Sequence, residues 1–322
     1  MNGICTLGND YVFDQLVALL NSIDAILGAE TPVCIYPFDE QMQRISEEIS
    51  HRPNVFIYDN QDVINRWDQF MLEASPASMN RDKYRIYGGH RRFCAFDDPF
   101  DNFIYMDADT LVMNSLDFIF EKLNEYDCVV YDFQFKHPDK VYNVNSSKLF
   151  QIFDEERIQK EIFCSGFYAS KKGIFTEDKI AKLSSYLKAG EQEILYPTGD
   201  QPVLNYMFMR SGIQVYNLAH HLPSNKTTGC SVTSSHFEEK DKVLYDQDNR
   251  LTYIHYIGIP PRVNQAVCTG ENIDFPYRDL FLHYRYLHEP QKRPIFKNPA
   301  KPYNAPTPNL LTRTLKKLNF IN

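Results

Sequence analysis

Short apolar runs alternate with segments of helical periodicity in the first third of the chain, and this alternation excludes most fold classes. Residues 3–7, 32–38 and 54–59 have the length and composition of buried strands. Between the first three runs, residues 13–27 and 39–50 place apolar side chains at helical spacing. This pattern predicts an α/β fold, with a parallel sheet that helices cover on both faces.

The rest of the chain continues the pattern less regularly. A fourth apolar run lies at 102–107, after a segment at 81–96 with a helical pattern. Four further segments read as two strands and then two helices: 128–133, 162–170, 177–190 and 199–212. Residues 219–250 are polar and predict a loop region over a site. Ligands of such sheets bind beyond the carboxyl ends of the strands.

A change of composition near residue 289 divides the chain. From 289 to 322 there are six prolines, and seven basic residues against one acidic residue. We predict one globular domain over 1–288 and a proline-rich basic extension over 289–322. The remainder is more acidic than the total charge of -8 indicates. An acidic body argues against nucleic acid as a partner.

The cellular location is predicted from the cysteines and the ends of the chain. Seven cysteines occur without a Cys-x-x-Cys pair, so we expect them to be reduced and mostly buried in a cytoplasmic protein. We expect no signal peptide, and no apolar run approaches the roughly 20 residues that span a bilayer. Leu311, Leu315 and Leu318 form one face of a basic amphipathic segment. That segment can contact the inner face of a membrane, dock on the body or mediate a dimer.

Two aspartates follow the apolar run at 102–107 directly. Residues i and i+2 of a strand face the same side, so Asp107 and Asp109 can offer oxygen ligands to one cation. Two carboxylates this close repel each other unless a positive charge lies between them. Oxygen ligands favour Mg²⁺ or Mn²⁺ over zinc. The alternative is structural: Asp107 ends the strand and Asp109 caps the next turn.

Three later stretches carry further polar residues. "FCSGFYAS" places Ser165 and Gly166 in a bulky strand, where glycine permits close approach by a ligand or marks a bulge. "PTGDQPVLNYM" places Asp200 and Gln201 at a helix start, where N-capping explains the aspartate alone. "YIHYIG" places His255 in an apolar strand, and a histidine there is more often a core residue than a ligand.

Taken in order, six motifs resemble those of the retaining GT-A glycosyltransferases that include glycogenin and the bacterial lipopolysaccharide galactosyltransferases (glycosyltransferase family 8). The motifs are "TLGNDY", "YRIYGGHRRF", "FIYMDADTLV", "FCSGFY", "GDQPVLN" and "IHYIG", and the resemblance spans residues 4–258. It implies a Rossmann-like GT-A nucleotide-diphospho-sugar transferase fold, with a mixed central sheet flanked by helices. It also implies transfer of a hexose from a UDP-sugar to an unknown glycan, lipid or small-molecule acceptor.

The resemblance implies a role for each matching residue. Asp107, Asp109 and His255 would bind Mn²⁺ or Mg²⁺, which would hold the diphosphate. The nucleotide and donor sugar would contact a wider set of residues: Thr6, Asn9, Tyr11, Arg91 or Arg92 with Arg85 on much the same face, Asp107, Ala108, Ser165, Gly166, Asp200, Gln201 and Gly258. Of these, Asp200 and Gln201 are expected to be catalytic. Gln201 is neutral and would support positive charge only weakly. We therefore expect retention by attack on the same face of the sugar.

The sequence departs from the family pattern at two places. Pro261 stands where the family has a lysine that grips the diphosphate, and Arg262 or Lys226 can replace that lysine. Cys164 replaces the usual asparagine of the strand motif. Both changes leave the donor sugar and nucleotide open.

Two other functions are compatible with parts of the sequence. A haloacid-dehalogenase-type phosphatase also uses an Asp-x-Asp strand end, but its threonine comes at the position of Leu111, whereas here Thr110 comes one residue early. A non-catalytic nucleotide-sugar-binding protein would not need to keep Asp107, Asp109, Asp200, Gln201 and His255 together. These readings remain alternatives to the transferase.

Overall fold

Residues 1–79 and 88–305 are described by the computed structural model. Within them we number fourteen strands in chain order: β1 (Asn2–Gly8), β2 (Val33–Pro37), β3 (Val55–Ile57), β4 (Asn102–Met106), β5 (Thr110–Val112), β6 (Cys128–Val130), β7 (Phe167–Lys171), β8 (Val215–Asn217), β9 (Glu238–Lys240), β10 (Val243–Asp246), β11 (Asn249–Arg250), β12 (Tyr253–His255), β13 (Ile273–Asp274) and β14 (Lys301–Pro302).

The same residues form eleven α-helices: α1 (Phe13–Leu27), α2 (Gln43–Ile49), α3 (Gln61–Ala74), α4 (Asp117–Lys122), α5 (Leu149–Ile152), α6 (Glu155–Glu161), α7 (Glu177–Lys188), α8 (Asp200–Arg210), α9 (Leu218–His221), α10 (Pro261–Cys268) and α11 (Arg278–Arg285). Short 3₁₀ segments connect them, and the longest of these is Gly89–Phe96.

The central sheet has seven strands in the order β3-β2-β1-β4-β7-β6-β8. Strands β1 to β4 are mutually parallel where they pair, as the alternation predicted. Strand β7 is antiparallel to both of its neighbours, β4 and β6. The mixed sheet is therefore confirmed, and β7 is where it departs from the parallel sheet that the alternation predicted. The connection from β6 to β7, residues 131–166, contains the short helices α5 and α6, and it leaves β7 antiparallel to β6.

The sheet separates two apolar clusters. Phe103 and Tyr105 of β4 pack into one cluster, whereas Ile104 and Met106 pack into the other. Both faces of β4 are thus buried, which is why its sequence is a continuous apolar run instead of an alternating one. Asp107 is the first residue beyond this run, so the strand leads directly from the core to the carboxyl edge of the sheet.

Helix α3 was missed in the sequence, although its pattern is regular. The Asn60 side chain accepts a hydrogen bond from the backbone N–H of Val63 and caps the helix. The buried face repeats at helical spacing and comprises Ile64, Trp67, Phe70, Met71 and Ala74. Polar residues that separate these positions hid the pattern.

Two other segments differ from their predictions. Within 81–96, the described part is a 3₁₀ helix that starts after Gly88, and residues 80–87 lie outside the described ranges. Gly88 has φ of +91°, and a Cβ atom there would lie 1.9 Å from the carbonyl oxygen of Phe38. Residues 219–250 are not simply a loop, because strands β9, β10 and β11 form a small antiparallel sheet within them.

The last described residues contact the body. Strand β14 pairs with β13, and Phe296 and Tyr303 pack against a third apolar cluster. The amphipathic segment with Leu311, Leu315 and Leu318 lies outside the described residues. All seven cysteines are unpaired, and four of them are buried. In the part of the chain that the structure describes, no helix has both the length and the apolar character to cross a bilayer.

Candidate active site

A tight turn joins β4 to β5 and presents the two aspartates. The backbone N–H and the hydroxyl of Thr110 both donate to the carbonyl oxygen of Asp107, at 3.0 and 2.7 Å. Strand β5 then pairs with β12 in antiparallel register, with Thr110 opposite His255. The N–H of Tyr256 donates to the Asp109 carbonyl at 2.8 Å. This register brings the His255 imidazole to the carboxylates of Asp107 and Asp109, although His255 lies 146 positions after Asp109 in the sequence.

Asp107, Asp109 and His255 form a cluster whose ligand atoms all lie within 4.8 Å of one another. His255 Nε2 is 3.1 Å from Asp109 Oδ1. Gly166 closes the cluster, since a Cβ there would lie 2.5 Å from His255 Cε1 and 2.8 Å from Asp107 Oδ2. Two carboxylates and one imidazole are a suitable donor set for a divalent cation. The residues therefore fit the metal that the sequence implied.

The protonation equilibria of the cluster reflect its burial and charge. Burial raises the pKa of Asp107, Arg92 acts against this, and the nearby Asp109 carboxylate adds to it. Burial also disfavours ionised Asp109, but the charge and hydrogen bond of His255 outweigh it and the pKa is lowered. Burial disfavours the imidazolium, yet Asp109 holds the pKa of His255 well above its usual value. Positive charge is thus favoured between the two carboxylates.

Arg92 connects this cluster to the start of helix α8. Its guanidinium lies 3.1 Å from Asp107 Oδ1 and 2.7 Å from Asp200 Oδ2. It also donates to the carbonyl oxygen of Ser165 at 2.7 Å and lies over the ring of Tyr105. Burial opposes its charge, but the two carboxylates raise the pKa of Arg92 well above its usual value. The arginine is therefore a fixed cation between the metal cluster and Asp200.

Arg91 has different partners from Arg92. Its guanidinium binds both carboxylate oxygens of Asp68, at 3.2 and 3.1 Å, and donates to the Pro37 carbonyl. The structure thus brings Arg92, and not Arg91, to the aspartate cluster. Arg85 lies outside the described residues.

The residues at the entrance to α8 are fixed by hydrogen bonds. Gln201 Oε1 accepts from the N–H of Ser165 at 3.0 Å. Asn205, one turn later, binds the N–H and the carbonyl of Phe163. These bonds place Ser165, Gly166, Asp200 and Gln201 together beside the metal cluster. Cys164 precedes Ser165 in the chain, and its thiol also helps to raise the pKa of His255.

A cleft of about 670 Å³ borders the metal cluster and lies beyond the carboxyl ends of β1 and β2. Asn9, Tyr11, Ala108 and both metal-cluster aspartates are among its lining residues. The Tyr11 side chain is 42% exposed, so its ring is available to a ligand. Thr6 is fully buried and does not line the cleft, and its hydroxyl has no hydrogen-bond partner among the described residues.

The segment after His255 forms the remaining wall. Gly258 is exposed and has φ of +85°, and the chain then turns so that Pro260 and Pro261 line the cleft. Neither Arg262 nor Lys226 is among the described residues that line it.

Sequence reasoning missed two carboxylates near the site. Asp39, in the cleft wall, accepts from the Asn9 side chain at 2.9 Å. Asp132 is buried and accepts from the N–H groups of Gln134 and Cys164. Burial raises the pKa of Asp132 to about 7. Asp39 directly follows the predicted strand 32–38, which was the available signal, whereas Asp132 lies inside the predicted strand 128–133.

Comparison with solved structures identifies the fold. The galactosyltransferase LgtC, solved in complex with donor and acceptor sugar analogs, aligns with a TM-score of 0.50 and 16% identity, over 80% of this chain and 87% of LgtC. The bifunctional glycosyltransferase WbbM aligns with a TM-score of 0.50 and 14% identity, over 91% of this chain and 51% of WbbM. Mouse xyloside xylosyltransferase 1 aligns at 0.49 and 13%, over 68% and 85%. The first two likenesses show the GT-A fold.

No curated protein sequence matches the chain significantly. The profile of the family described as "Glycosyl transferase family 8" matches residues 10–260, which is most of the chain. The match includes every residue of the metal cluster, Arg92 and the start of α8. The chain therefore belongs to glycosyl transferase family 8 and is a glycosyltransferase with the GT-A fold.

Proposed function

We propose that the protein transfers a hexose from a nucleotide-diphosphate sugar, a UDP-hexose, to an acceptor with retention of configuration. The observation that carries this proposal is the convergence of Asp107, Asp109 and His255 between the large cleft and the start of helix α8. Asp200 and Gln201 form that start, the Asp200–Gln201 corner. A nucleotide in the cleft would place its diphosphate at the cluster and its sugar at the corner.

Asp107, Asp109 and His255 would hold a divalent metal ion, Mn²⁺ or Mg²⁺, which supplies Lewis acidity toward the diphosphate leaving group. Gly166 leaves room for this arrangement, because a side chain there would overlap two of the three ligands. Arg92 would add charge-assisted hydrogen bonds near the same group. Because it is already held by Asp107 and Asp200, it needs little reorganisation when charge develops.

The cleft residues would bind the nucleotide. The exposed ring of Tyr11 offers a stacking surface for the base, and Asn9, fixed by Asp39, offers a polar contact beside it. Asp107 and Ala108 would lie near the ribose, and Gly258 would lie near the diphosphate. Thr6 does not line the cleft, so it would affect nucleotide binding only through the position of strand β1.

The donor sugar would lie against Ser165, Gly166, Asp200 and Gln201. Asp200 is ion-paired with Arg92, and the Gln201 amide oxygen already accepts from Ser165. Asp200 is a carboxylate restrained by Arg92, and Gln201 is a neutral amide, so neither is a strong nucleophile. We infer that Asp200 and Gln201 orient the sugar and that the acceptor attacks from the face that the diphosphate leaves, which retains configuration. An inverted product, or a trapped covalent glycosyl-enzyme, would contradict this inference.

The decisive experiment is a thermal-shift series with UDP-hexoses, with and without Mn²⁺. Ligands that bind only the folded state raise the melting temperature. We expect a shift that needs both Mn²⁺ and the nucleotide sugar, and we expect Asp109→Ala to abolish the Mn²⁺-dependent part. Slow UDP-hexose hydrolysis with Mn²⁺ would distinguish a transferase from a non-catalytic binding protein. A shift that survives in Asp109→Ala would refute the metal assignment.

Two further assignments are part of the proposal. The seven unpaired cysteines support a reducing compartment such as the cytoplasm. We also retain the division into a transferase domain, 1–288, and a basic extension, 289–322, whose end contacts an anionic membrane surface. If a chain truncated after Pro294 binds anionic vesicles as the full chain does, the membrane contact is excluded.

A further inference from the structure

A second pocket, of about 500 Å³, has Pro197 among its lining residues, three positions before Asp200. One wall is the segment that follows β6, residues 139–145, and the other is the segment 192–197 that leads into α8. The first segment leaves the carboxyl edge of the sheet, because β6 runs in the same direction as β4. The second follows helix α7. Nothing in the proposed donor site uses these residues.

Backbone hydrogen bonds hold the two walls together. The N–H of Asn143 donates to the Ile194 carbonyl at 2.8 Å, and the N–H of Tyr196 donates to the Val141 carbonyl at 3.0 Å. Tyr142 and Leu195 form a β-bridge between these bonds. The pocket is therefore a preformed feature of the fold, as small-molecule sites usually are.

The chemistry of the lining favours a neutral carbohydrate. Tyr196 is 40% exposed and Val144 is 36% exposed, so an aromatic ring and an apolar edge face the ligand space. Asn143, Asn145 and Glu193 add amide and carboxylate groups around them. Sugars present C–H faces that pack on aromatic rings, and hydroxyl groups that pair with amides and carboxylates.

Other ligand classes fit less well. Among the described residues that line the pocket none is basic, so a phosphate or another anion would lack a counter-charge. The polar rim does not suit a purely apolar ligand. Tyr196 lies four residues before Asp200, so their Cα atoms are at most about 14 Å apart. A short oligosaccharide can span that distance.

We propose that this pocket binds the distal sugar residues of a neutral oligosaccharide acceptor, while the acceptor's terminal sugar reaches the Asp200–Gln201 corner. The assignment of the bound sugar as an acceptor rests on the proposed transferase function. Binding of the oligosaccharide itself depends only on the pocket. It requires neither the metal nor the nucleotide sugar.

The test uses the full-length protein, fluorescently labelled, on an array of maltohexaose, cellohexaose and β-1,4-linked galactohexaose. We compare wild type, Tyr196→Ala, Asn145→Ala and the control Phe56→Ala, which removes another aromatic ring that is 39% exposed. Melting temperatures establish that each variant is folded. We expect wild type to bind at least one array sugar, and Tyr196→Ala to bind it about threefold to tenfold more weakly. Phe56→Ala should bind as wild type does.

Two outcomes overturn the proposal: no array sugar binds the wild type, or Tyr196→Ala binds as tightly as the wild type. Wild-type UDP-hexose hydrolysis, measured in parallel, separates this proposal from the function on which it rests. Sugar binding without hydrolysis would refute the transferase but not the pocket. Hydrolysis without sugar binding would refute the pocket alone.

Discussion

Replacing Gly166 by alanine tests whether the metal cluster depends on the empty space beside it. The new Cβ would lie 2.5 Å from His255 Cε1, whereas carbon atoms in contact are about 3.5–4.0 Å apart. The imidazole or the backbone must therefore move by about 1 Å. His255 cannot move freely, because Asp109 holds it at 3.1 Å. Asp107, the second overlapped residue, is held by Tyr105 and Arg92.

The expected effect is specific to the metal. Disturbing groups that orient metal ligands typically lowers metal affinity about 10–100-fold, and a 1 Å misplacement can cost about 100-fold in rate. Overpacking of this kind destabilises a fold by about 1–3 kcal/mol. Mn²⁺ titration, followed by the paramagnetic resonance signal of free Mn²⁺, measures the affinity. UDP-hexose hydrolysis measures the rate.

Gly229→Ala is the matched control. Its Cβ would lie 2.7 Å from Phe237 Cζ, a comparable overlap that involves no residue of the metal cluster. It should lose similar stability and retain Mn²⁺ affinity. If Gly166→Ala binds Mn²⁺ and hydrolyses UDP-hexose as the wild type does, the three residues do not act as a metal site.

Three further predictions test neighbouring parts of the site. Arg92→Met should destabilise the fold by about 3 kcal/mol in urea unfolding, because it leaves Asp107 and Asp200 without their buried cation; a loss below about 1 kcal/mol would mean that the carboxylates are well solvated. Asp132→Asn should change how stability depends on pH. Burial raises the pKa of Asp132 to about 7 in spite of N–H donors from Gln134 and Cys164 and the charge of His255, whereas the unfolded value is about 3.9. Folding therefore favours the protonated acid, and this contribution is complete below about pH 4 and is lost as the pH rises through 7. The wild-type free energy of unfolding should fall relative to that of Asp132→Asn over this window, by on the order of 4 kcal/mol, and a constant difference would contradict the assignment. Tyr11→Ala should weaken UDP binding about threefold to tenfold in calorimetric titration, with Phe56→Ala as the exposed aromatic control; unchanged affinity would place the base elsewhere.

The first half of the fold was predictable because its strands are buried on both faces. A strand such as β4, with Phe103 and Tyr105 on one face and Ile104 and Met106 on the other, must be continuously apolar. Its end at Asp107 is therefore visible in the sequence. The direction of β7 was not visible, because an apolar strand has the same composition whichever way it runs.

The site was predictable only in part, since its members meet through register and long-range ion pairs. Strands β5 and β12 have three residues each, and their pairing decides that His255 faces Asp109. Shifting that register by one residue would turn the imidazole to the opposite face. Composition alone cannot specify such a pairing, and the resemblance to a known family implied only that His255 joins the two aspartates.

The choice between Arg91 and Arg92 shows the same limit at a single residue. Adjacent residues of a helical segment point in different directions, so only one of the two can reach Asp107. The 3₁₀ segment that carries both arginines begins after Gly88, which has φ of +91°, and Arg92 is the one that reaches Asp107. Arg91 turns instead to Asp68 on α3, the helix that the sequence analysis did not find. Without that helix there was no competing carboxylate to consider, and both arginines seemed equally available to the substrate.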